Sequence, residues 1–454
     1  MNWDKLRPYQ IEDAQFLAQL DACACFNEQR TGKTPTSLYV CELKGLKKIL
    51  IVCPATAIYP WVEAVAYWSG KPAVAYVGTR TQRKKIQQQW EYALVASLDT
   101  VKELDDGKKK EIHQLLAYHP DGIIVDEAHR IGHHRTERTR AMHAVRTNIP
   151  FRLVLSGSPA VSRSKDIWGI LHFLYPKTFS SYWNFIGQFY HTWEAYGFGG
   201  QKHQEIGDML PHMIPTMQGI LARISTQRKR KDVMTWLPAK DRQVIRLPAT
   251  PQQAKHLREL EEVWETDHVV TQGTLDRLIR YRQICLDPVL LGFNERSPKT
   301  EWVLQYLKDY PDTPTILFSK FTQYLIRLQE WIQMPMICGD TTLKQRKKIC
   351  DDFQTGKHNF LLLNLDACKE SITLDRAEVA IFTDKYPPIG DIDQAEDRFV
   401  ATTVMRAHKP HTIYDLVIRD SYDEDIIRML AQRKEETDII NDYKTKYERT
   451  RTRT

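Results

Sequence analysis

The first third of the chain contains short apolar runs separated by longer stretches in which apolar residues recur at helical spacing. The runs are rich in β-branched residues, are bounded by turn or polar residues, and lack the alternation typical of a half-exposed strand. They lie at Ile49–Cys53, Leu94–Ser97, Gly122–Val125 and Arg152–Ser156. This pattern predicts buried parallel strands connected by helices, which is a β/α domain with a parallel sheet.

Strand-like runs of the same kind return in the second half of the chain. They lie at Thr315–Phe318, Met336–Cys338, Phe360–Leu365, Val379–Thr383 and Thr412–Ile418. Between the two series, from Ser164 to Tyr281, aromatic and aliphatic residues recur at helical spacing, with an extended interruption near Gln243–Leu247 that fits a linker. The predicted fold class is therefore α/β, with two parallel-sheet lobes and helical insertions.

These patterns divide the chain into four parts. Residues 1–163 are predicted to form the first lobe, and residues 164–240 a helical insertion. Residues 241–425 are predicted to form the second lobe, with a further helical insertion at about 250–290. Residues 426–454 are predicted to form a charged helix and a basic tail whose end is frayed.

Composition and charge narrow the class of protein. A chain of 454 residues with 42% hydrophobic and 10% aromatic residues fits a globular enzyme of several domains. It has no apolar run of membrane-spanning length and no signal-peptide pattern, so we expect a soluble, cytoplasmic protein without a membrane partner. The net charge of +7 permits a nucleic-acid partner, and basic residues cluster at Arg83–Lys85, Lys108–Lys110, Arg228–Lys231 and Lys444–Arg453.

The cysteines argue against a metal or disulfide framework. The eight residues are Cys23, Cys25, Cys41, Cys53, Cys285, Cys338, Cys350 and Cys368. None forms a C-x-x-C pair, and no second pair stands near Cys23 and Cys25 to complete a four-ligand site. We therefore expect reduced thiols in the core.

A possible phosphate-binding loop, Thr31-Gly32-Lys33-Thr34, precedes a helical stretch near the start of the chain. Glycine lets the backbone close around a phosphate group, Lys33 can reach the β- and γ-phosphate oxygens, and the Thr34 hydroxyl can bind Mg²⁺. By itself the segment also fits a surface turn, and Asn27 stands where the full phosphate-loop pattern has a small residue. The choice between the two depends on a second motif.

That second motif is Asp126-Glu127-Ala128-His129, directly after the apolar run Gly122–Val125. Two adjacent acids at the end of a buried strand are costly without a cation, so a Mg²⁺ site explains them better than an acidic turn does. Asp126 would hold the metal, and Glu127 would orient or deprotonate the attacking water. Together the two motifs predict an ATP–Mg²⁺ site with Lys33, Asp126 and Glu127 as catalytic residues.

Ordered motifs along nearly the whole chain resemble the Snf2-type branch of superfamily 2 helicases. In the first half, the matches to the adenine-reading motif and to motifs I, Ia, II and III are Leu6–Gln10, Asn27–Thr34, Ile51–Ala55, Asp126–His129 and Leu155–Pro159. Later family blocks are matched by Tyr175–Phe179, Arg228–Val233, Trp236–Pro238, Leu278–Pro288, Ile337–Thr341 and Gln394–Arg398. The resemblance implies two RecA-like parallel-sheet lobes with helical insertions, ATP and Mg²⁺ as cofactors, and DNA as the partner.

The resemblance also implies roles for individual residues. Nucleotide contacts are expected from Gln10, Arg30, Thr31, Gly32, Lys33 and Thr34, with Thr34 and Asp126 holding Mg²⁺. Coupling between the ATP site and the nucleic-acid site is expected from His129, Ser156, Gly157 and Ser158. Contacts with the nucleic-acid backbone are expected from Pro54, Ala55, Ser97, Lys369 and Ser371.

Two motifs depart from the family pattern. Motif V appears as Ala367–Leu374 with its usual glycines replaced, so its backbone conformation and its DNA contact are open. In motif VI the second arginine of the family falls at Ala401, and the next arginine, Arg406, implies an insertion. The candidates for the finger that stabilises the γ-phosphate are Arg398, which keeps the motif spacing, and Arg406, which follows the insertion, and we expect both to contribute.

The leading functional hypothesis is a DNA-stimulated ATPase that translocates on duplex or branched DNA as a monomer and remodels forks or four-way junctions. A narrower resemblance, to phage-encoded Snf2-like branch-migration helicases, implies the host cytoplasm or nucleoid as the location. Two alternatives stay open: an ATP-gated DNA-binding regulator without productive translocation, and an RNA-directed helicase. The run Arg228–Lys231 either grips DNA or is a solvated surface, whereas Trp168, Trp183 and Trp193 fit core packing better than base wedges.

Overall fold

A computed structural model describes the chain except for residues 105–111, 113–114, 158–162, 197–201, 235–239, 263–264, 267–268, 271–273, 370–373, 385–394, 397–410 and 442–454. The chain divides into two compact units, one built on Met1–Thr235 and the other on Trp236–Lys434. Each unit is organised around one parallel sheet.

The first unit has a seven-stranded sheet and a separate antiparallel hairpin. Its described strands are β1 (Ala22–Cys25), β2 (Ile49–Cys53), β3 (Ala73–Ala75), β4 (Ala93–Ser97), β5 (Gly122–Val125), β6 (Phe151–Leu155), β7 (Tyr190–Tyr196), β8 (Lys202–Met209) and β9 (Ser225–Thr226). The sheet order is β3-β4-β2-β5-β6-β1-β9 with every neighbouring pair parallel, and β7 and β8 form the hairpin.

Helices cover both faces of this sheet, which is why the strand residues are buried without alternation. Leu50 and Val52 belong to one apolar cluster, whereas Ile49 and Ile51 belong to the cluster on the opposite face. The α-helices described in this unit are Pro8–Ala18, Lys33–Leu43, Ile58–Ser69, Arg80–Gln88, Leu98–Glu103, Glu137–Val145, Ile167–Leu174, Tyr182–Phe189, Ile214–Ile224 and Arg230–Val233.

The second unit repeats the plan with a six-stranded sheet. Its described strands are β10 (Lys240–Leu247), β11 (Glu265–Thr266), β12 (Val269–Val270), β13 (Thr315–Ser319), β14 (Met336–Ile337), β15 (Phe360–Asn364), β16 (Val379–Phe382) and β17 (His411–Ile418). The order is β10-β17-β16-β13-β15-β14, all parallel, and β11 and β12 form a short antiparallel pair. The described α-helices are Pro251–Glu262, Thr274–Leu286, Pro298–Asp309, Thr322–Ile332 and Leu343–Gln354, and the helix Tyr422–Asn441 begins in this unit.

The predicted α/β fold class is confirmed: each of the two lobes has a parallel sheet with helices between its strands. The interpretation of Gln243–Leu247 as a linker is wrong, because these residues lie in β10, which pairs with β17 along its whole length. Residues 164–240 contain helices as expected, but also the β7–β8 hairpin and β9, which joins the first sheet. The domain boundaries themselves stay a prediction.

The described cysteines lie in the core, as expected. Cys23, Cys25, Cys41, Cys53, Cys285, Cys338 and Cys350 are buried and free of disulfide bonds, whereas the side chain of Cys368 lies outside the described residues. Among the described residues no cluster of His, Cys, Asp and Glu side chains has the arrangement of a metal site. Nor does any helix in the described part of the chain have the length and apolar character needed to cross a membrane.

Candidate active site

The predicted nucleotide-binding residues follow the carboxyl ends of three neighbouring strands of the first sheet. The loop Asn27–Thr34 follows β1, Asp126 follows β5, and Ser156 follows β6, which lies between the other two. The Ser156 amide donates to the carbonyl oxygen of Cys25 at 3.1 Å, which ties the end of β6 to the end of β1. Parallel strands all end at one edge of a sheet, and that edge is where open α/β sheets bind ligands.

Gly32 gives the predicted phosphate loop its shape. It has a left-handed conformation, with φ +86° and ψ 42°, and caps the helix Lys33–Leu43. The backbone angle favours glycine, and a Cβ atom added at Gly32 would lie 2.0 Å from the side-chain nitrogen of Gln10, so a larger residue would displace the Gln10 side chain. Arg30 in the same loop also has a positive φ, of 65°.

The opening motif ties this loop to the first helix of the chain. The Thr31 carbonyl oxygen accepts hydrogen bonds from the Tyr9 hydroxyl at 2.7 Å and from the Gln10 side-chain nitrogen at 3.0 Å. The Gln10 oxygen in turn accepts from the Arg7 amide at 2.8 Å. Both ends of the Gln10 amide are therefore engaged in holding the loop, and its expected contact with adenine stays a prediction.

Lys33 directs its ammonium group into the same loop. Its Nζ atom donates to the carbonyl oxygens of Asn27 at 3.0 Å and Glu28 at 3.3 Å. Lys33 and Thr34 are the first two residues of their helix, where unpaired backbone amides and the helix dipole favour an anion. A turn of backbone, an ammonium group and a helix N-terminus together fit the phosphate groups of a nucleotide.

The paired acids are held at the end of β5. Asp126 accepts from the Trp61 indole at 2.9 Å with one carboxylate oxygen and from the Glu127 amide at 2.9 Å with the other. Burial, followed by the charge on Glu127, raises the pKa of Asp126 to about 6, although Trp61 and Lys33 act to lower it. Lys33 and Asp126 therefore influence each other electrostatically. With the Thr34 hydroxyl, the Asp126 carboxylate provides the oxygen ligands that Mg²⁺ prefers, so this donor set fits ATP with Mg²⁺.

His129 connects the acid pair to motif III. Its Nδ1 atom lies 3.3 Å from a carboxylate oxygen of Glu127 and 3.3 Å from the Ser156 hydroxyl. The next residue, Gly157, lies against the phosphate loop, since a Cβ atom there would be 3.1 Å from the Cγ atom of Gln29. The structure thus brings together residues from motifs I, II and III around one site.

Comparison with known families accounts for this combination of fold and motifs. The model of the SNF2-related domain matches residues 9–290, and that of the helicase conserved C-terminal domain matches residues 298–400. The chain belongs to the SNF2 family. This SNF2-family protein is accordingly an ATPase of helicase superfamily 2, which confirms the enzyme class predicted from the motifs.

The SNF2-family chain is similar to larger proteins at low sequence identity. It is 24% identical over 432 residues to the ISWI chromatin-remodeling complex ATPase CHR17 of Arabidopsis thaliana and 22% identical over 418 residues to the DNA annealing helicase and endonuclease ZRANB3 of Homo sapiens. Each match covers 87% of this chain but only 38% and 37% of the respective relative. The chain therefore spans well under half the length of these relatives.

The SNF2-family chain also aligns with a solved structure. It is the Sulfolobus solfataricus SWI2/SNF2 ATPase core in complex with dsDNA, at 21% identity and a TM-score of 0.44. The alignment covers 96% of this chain and 93% of that chain.

The predicted nucleic-acid residues of the SNF2-family chain differ in exposure. Pro54 and Ala55 follow β2, and Ala55 is exposed. Ser97 is only 4% exposed, and its hydroxyl accepts from the Thr100 amide at 2.9 Å, capping the helix Leu98–Glu103. The structure gives Ser97 a helix-capping role, and its contact with nucleic acid stays a prediction.

Several predicted site residues lie outside the described part of the chain. These are Ser158, Ser371, Arg398 and Arg406, together with the side chain of Lys369, whose backbone ends the short 3-10 helix Leu365–Lys369. Near the start of motif V, the buried Arg346 guanidinium donates to the carbonyl oxygens of Ala367 at 3.4 Å and Cys338 at 3.0 Å. These hydrogen bonds link Ala367, the first residue of motif V, to the segment that follows β14.

Two expectations about aromatic residues need correction. Core packing is confirmed for Trp168, which is 7% exposed, but Trp183 and Trp193 are 44% and 49% exposed. Trp193 lies in β7 rather than in a helix, and its ring packs over Gly207 of β8, because a Cβ atom there would be 2.7 Å from the ring. Trp61, by contrast, was not singled out from the sequence, since an indole in an apolar helix gives no local sign of a bond to Asp126.

Proposed function

We propose that this SNF2-family chain is an ATP-driven DNA translocase that remodels branched DNA, such as replication forks and four-way junctions. The observation that carries the proposal is the contact series from Glu127 through His129 to Ser156. It joins the acid expected to activate water with the motif expected to report to the nucleic-acid site. A motor needs such a connection, because hydrolysis must change its grip on DNA.

In this proposal each residue of the site has one task. Lys33 orients the β- and γ-phosphates, Thr34 and Asp126 hold the cation, and Glu127 positions the attacking water. When bound, ATP with Mg²⁺ supplies the phosphoanhydride bond and the charge neutralisation that its cleavage requires. Trp61 holds one oxygen of the Asp126 carboxylate in place, and the Glu127 amide holds the other. Arg398 and Arg406 remain the candidates for the arginine finger.

Branched DNA is the favoured substrate for an energetic reason. A motor that pumps one arm of a mobile four-way junction breaks base pairs and forms equivalent ones, so the net cost of pairing is close to zero. On a blunt duplex each separated step costs about 1.4 kcal/mol without any return. The name of the relative ZRANB3, a DNA annealing helicase, supports this choice. We also propose that the chain works as a monomer and that it belongs with the phage-encoded branch-migration helicases that it resembles.

A second candidate is translocation along duplex DNA in chromatin, which the likeness to an ISWI ATPase favours. It predicts ATP hydrolysis that plain duplex stimulates as strongly as a junction does. The two candidates therefore differ in how strongly a junction stimulates ATP hydrolysis relative to plain duplex DNA, which one ATPase assay measures.

The experiment compares strand exchange on a mobile four-way junction with strand separation on a blunt duplex of matched length at one fixed salt concentration. ATP hydrolysis is recorded with single-stranded, duplex, forked and four-way DNA and with RNA of matched length. We expect stimulation by DNA and faster processing of the junction, with Glu127→Gln as the inactive control. Equal rates on junction and duplex would refute the branched-DNA preference, and ATP hydrolysis without strand exchange on any substrate would favour a DNA-binding regulator.

A further inference from the structure

Arg228 opens the basic run Arg228–Lys231 but does not have the environment of a DNA-contacting side chain. Its Nε atom donates to the Asp13 carboxylate at 2.9 Å, and its Nη2 atom lies 2.8 Å from Asp13 and 3.0 Å from Glu12. Asp13 is only 2% exposed. The Arg228 charge is therefore matched by two carboxylates of the first helix, one of them buried.

The same aspartate holds the predicted phosphate loop. The second oxygen of Asp13 accepts from the Asn27 side-chain nitrogen at 2.8 Å, and Asn27 is fully buried. The Asn27 carbonyl oxygen accepts from the Lys33 ammonium at 3.0 Å. Three contacts thus lead from Arg228 to Lys33. The contact with Asp13 also explains why asparagine stands at position 27 of the phosphate loop, since a small apolar residue has no side-chain nitrogen to donate to the Asp13 carboxylate.

A second path reaches Lys33 through Glu28. The Glu28 amide donates to the Arg228 carbonyl oxygen at 2.9 Å, and the Glu28 carboxylate accepts from the Arg230 amide at 2.8 Å. The Glu28 carbonyl oxygen then accepts from Lys33 at 3.3 Å. Both carbonyl groups that hold the Lys33 ammonium are therefore fixed by the segment that follows β9.

We propose that Arg228 and Asp13 are positioning residues of the ATP site, which place Asn27 and through it the Lys33 ammonium. The proposal rests on the proposed role of Lys33 in binding phosphate. A buried carboxylate with partners on both oxygens holds a group at a defined position, and removal of one partner leaves a desolvated charge unpaired. Because β9 and Arg228 lie near the C-terminal end of the predicted insertion, this part of the insertion supports the phosphate loop.

The test separates ATP binding from DNA binding in purified full-length protein. Variants Arg228→Ala, Arg228→Lys and Asp13→Asn are compared with Lys231→Ala, which removes an exposed charge from the same basic run. KM for ATP and kcat are measured at saturating DNA, and the Kd for duplex DNA is measured across a salt series. We expect Arg228→Ala to raise KM for ATP at least tenfold, with an unchanged salt dependence of DNA binding. Lys231→Ala should keep the wild-type KM for ATP.

Two further variants distinguish positioning from general support of the fold. Arg228→Lys keeps the charge opposite Asp13 but lacks the planar fork, so we expect an intermediate KM for ATP. Adding Asp13→Asn to Arg228→Ala neutralises the unpaired carboxylate and should recover part of the lost ATP affinity. A wild-type KM for ATP in both Arg228 variants would overturn the proposal, as would a reduced salt dependence of DNA binding, which would make Arg228 a phosphate contact.

The Lys33→Ala variant keeps this test apart from that of the proposed function. If Lys33→Ala retains normal turnover, the role of Lys33 is wrong and the present inference loses its basis. If Lys33→Ala is inactive while the Arg228 variants bind ATP normally, only the positioning role is refuted.

Discussion

Replacing Gly32 by alanine is the substitution for which the structure gives the clearest expected cost. Gly32 has a φ of +86°, and an added Cβ atom would lie 2.0 Å from the Gln10 side-chain nitrogen. Gln10 can move away only by breaking its hydrogen bonds to the Thr31 carbonyl oxygen and the Arg7 amide. The substitution therefore strains the backbone and loosens the loop that leads to Lys33.

The magnitude follows from these two effects. An alanine in the left-handed region costs about 1 kcal/mol, and each of the two lost hydrogen bonds contributes about 1 kcal/mol. The sum of about 3 kcal/mol corresponds to a fall in Tm of roughly 6–12 °C for a unit of this size. If about 1.4 kcal/mol of this free-energy cost weakens the binding of ATP to the loop, KM for ATP rises roughly tenfold.

Gly45 provides a matched control in the same unit. It follows the same helix, has a φ of +63°, and no atom lies within 4 Å of an added Cβ. Gly45→Ala should therefore cost only the backbone contribution, about 1 kcal/mol or roughly 2–4 °C in Tm. Its KM for ATP should be unchanged.

Thermal melts and steady-state ATP hydrolysis of the two variants decide the question. Equal falls in Tm for Gly32→Ala and Gly45→Ala, together with an unchanged KM for ATP in both, would refute the reasoning. That result would mean that Gln10 does not constrain the loop.

Two further predictions concern the ATP site and a buried histidine. Lys33→Ala should abolish hydrolysis and weaken ATP binding, whereas Glu127→Gln should abolish hydrolysis but still bind ATP; DNA-stimulated turnover by either variant would exclude that residue from the site. Burial, followed by the charges of His172 and Arg146, lowers the pKa of His143 to about 3, so the folded state favours the neutral ring. The contribution of His143 to the free energy of unfolding is fully present above its ordinary pKa of 6.5. It is lost as the pH falls from 6.5 towards the folded-state pKa of about 3. From pH 7 to pH 5 the loss is about 2 kcal/mol, and an equally steep fall in Tm for His143→Gln would contradict this assignment.

The strands of the core were predictable because their pattern depends on burial alone. The runs Ile49–Cys53 and Gly122–Val125 are strands β2 and β5 with the predicted bounds. Both faces of these strands pack against helices, so every position is apolar and the run stands out from its surroundings. The edge strand β10 was misread because Asp241, Arg242 and Gln243 are exposed, which gives a polar sequence like that of a linker.

The chemistry predicted for the candidate site came from the sequence by itself. Gly32, Lys33, Asp126 and Glu127 lie in two short motifs whose composition is tied to phosphate and cation binding, and the ends of parallel strands bring such motifs to one edge. Only the tertiary structure decided which groups hold them in place. Arg228 and Asp13 are 215 residues apart, and a contact at that separation follows from the docking of β9 beside β1, not from any local pattern. A buried charged residue looks like a surface residue in the sequence until the fold supplies its partner.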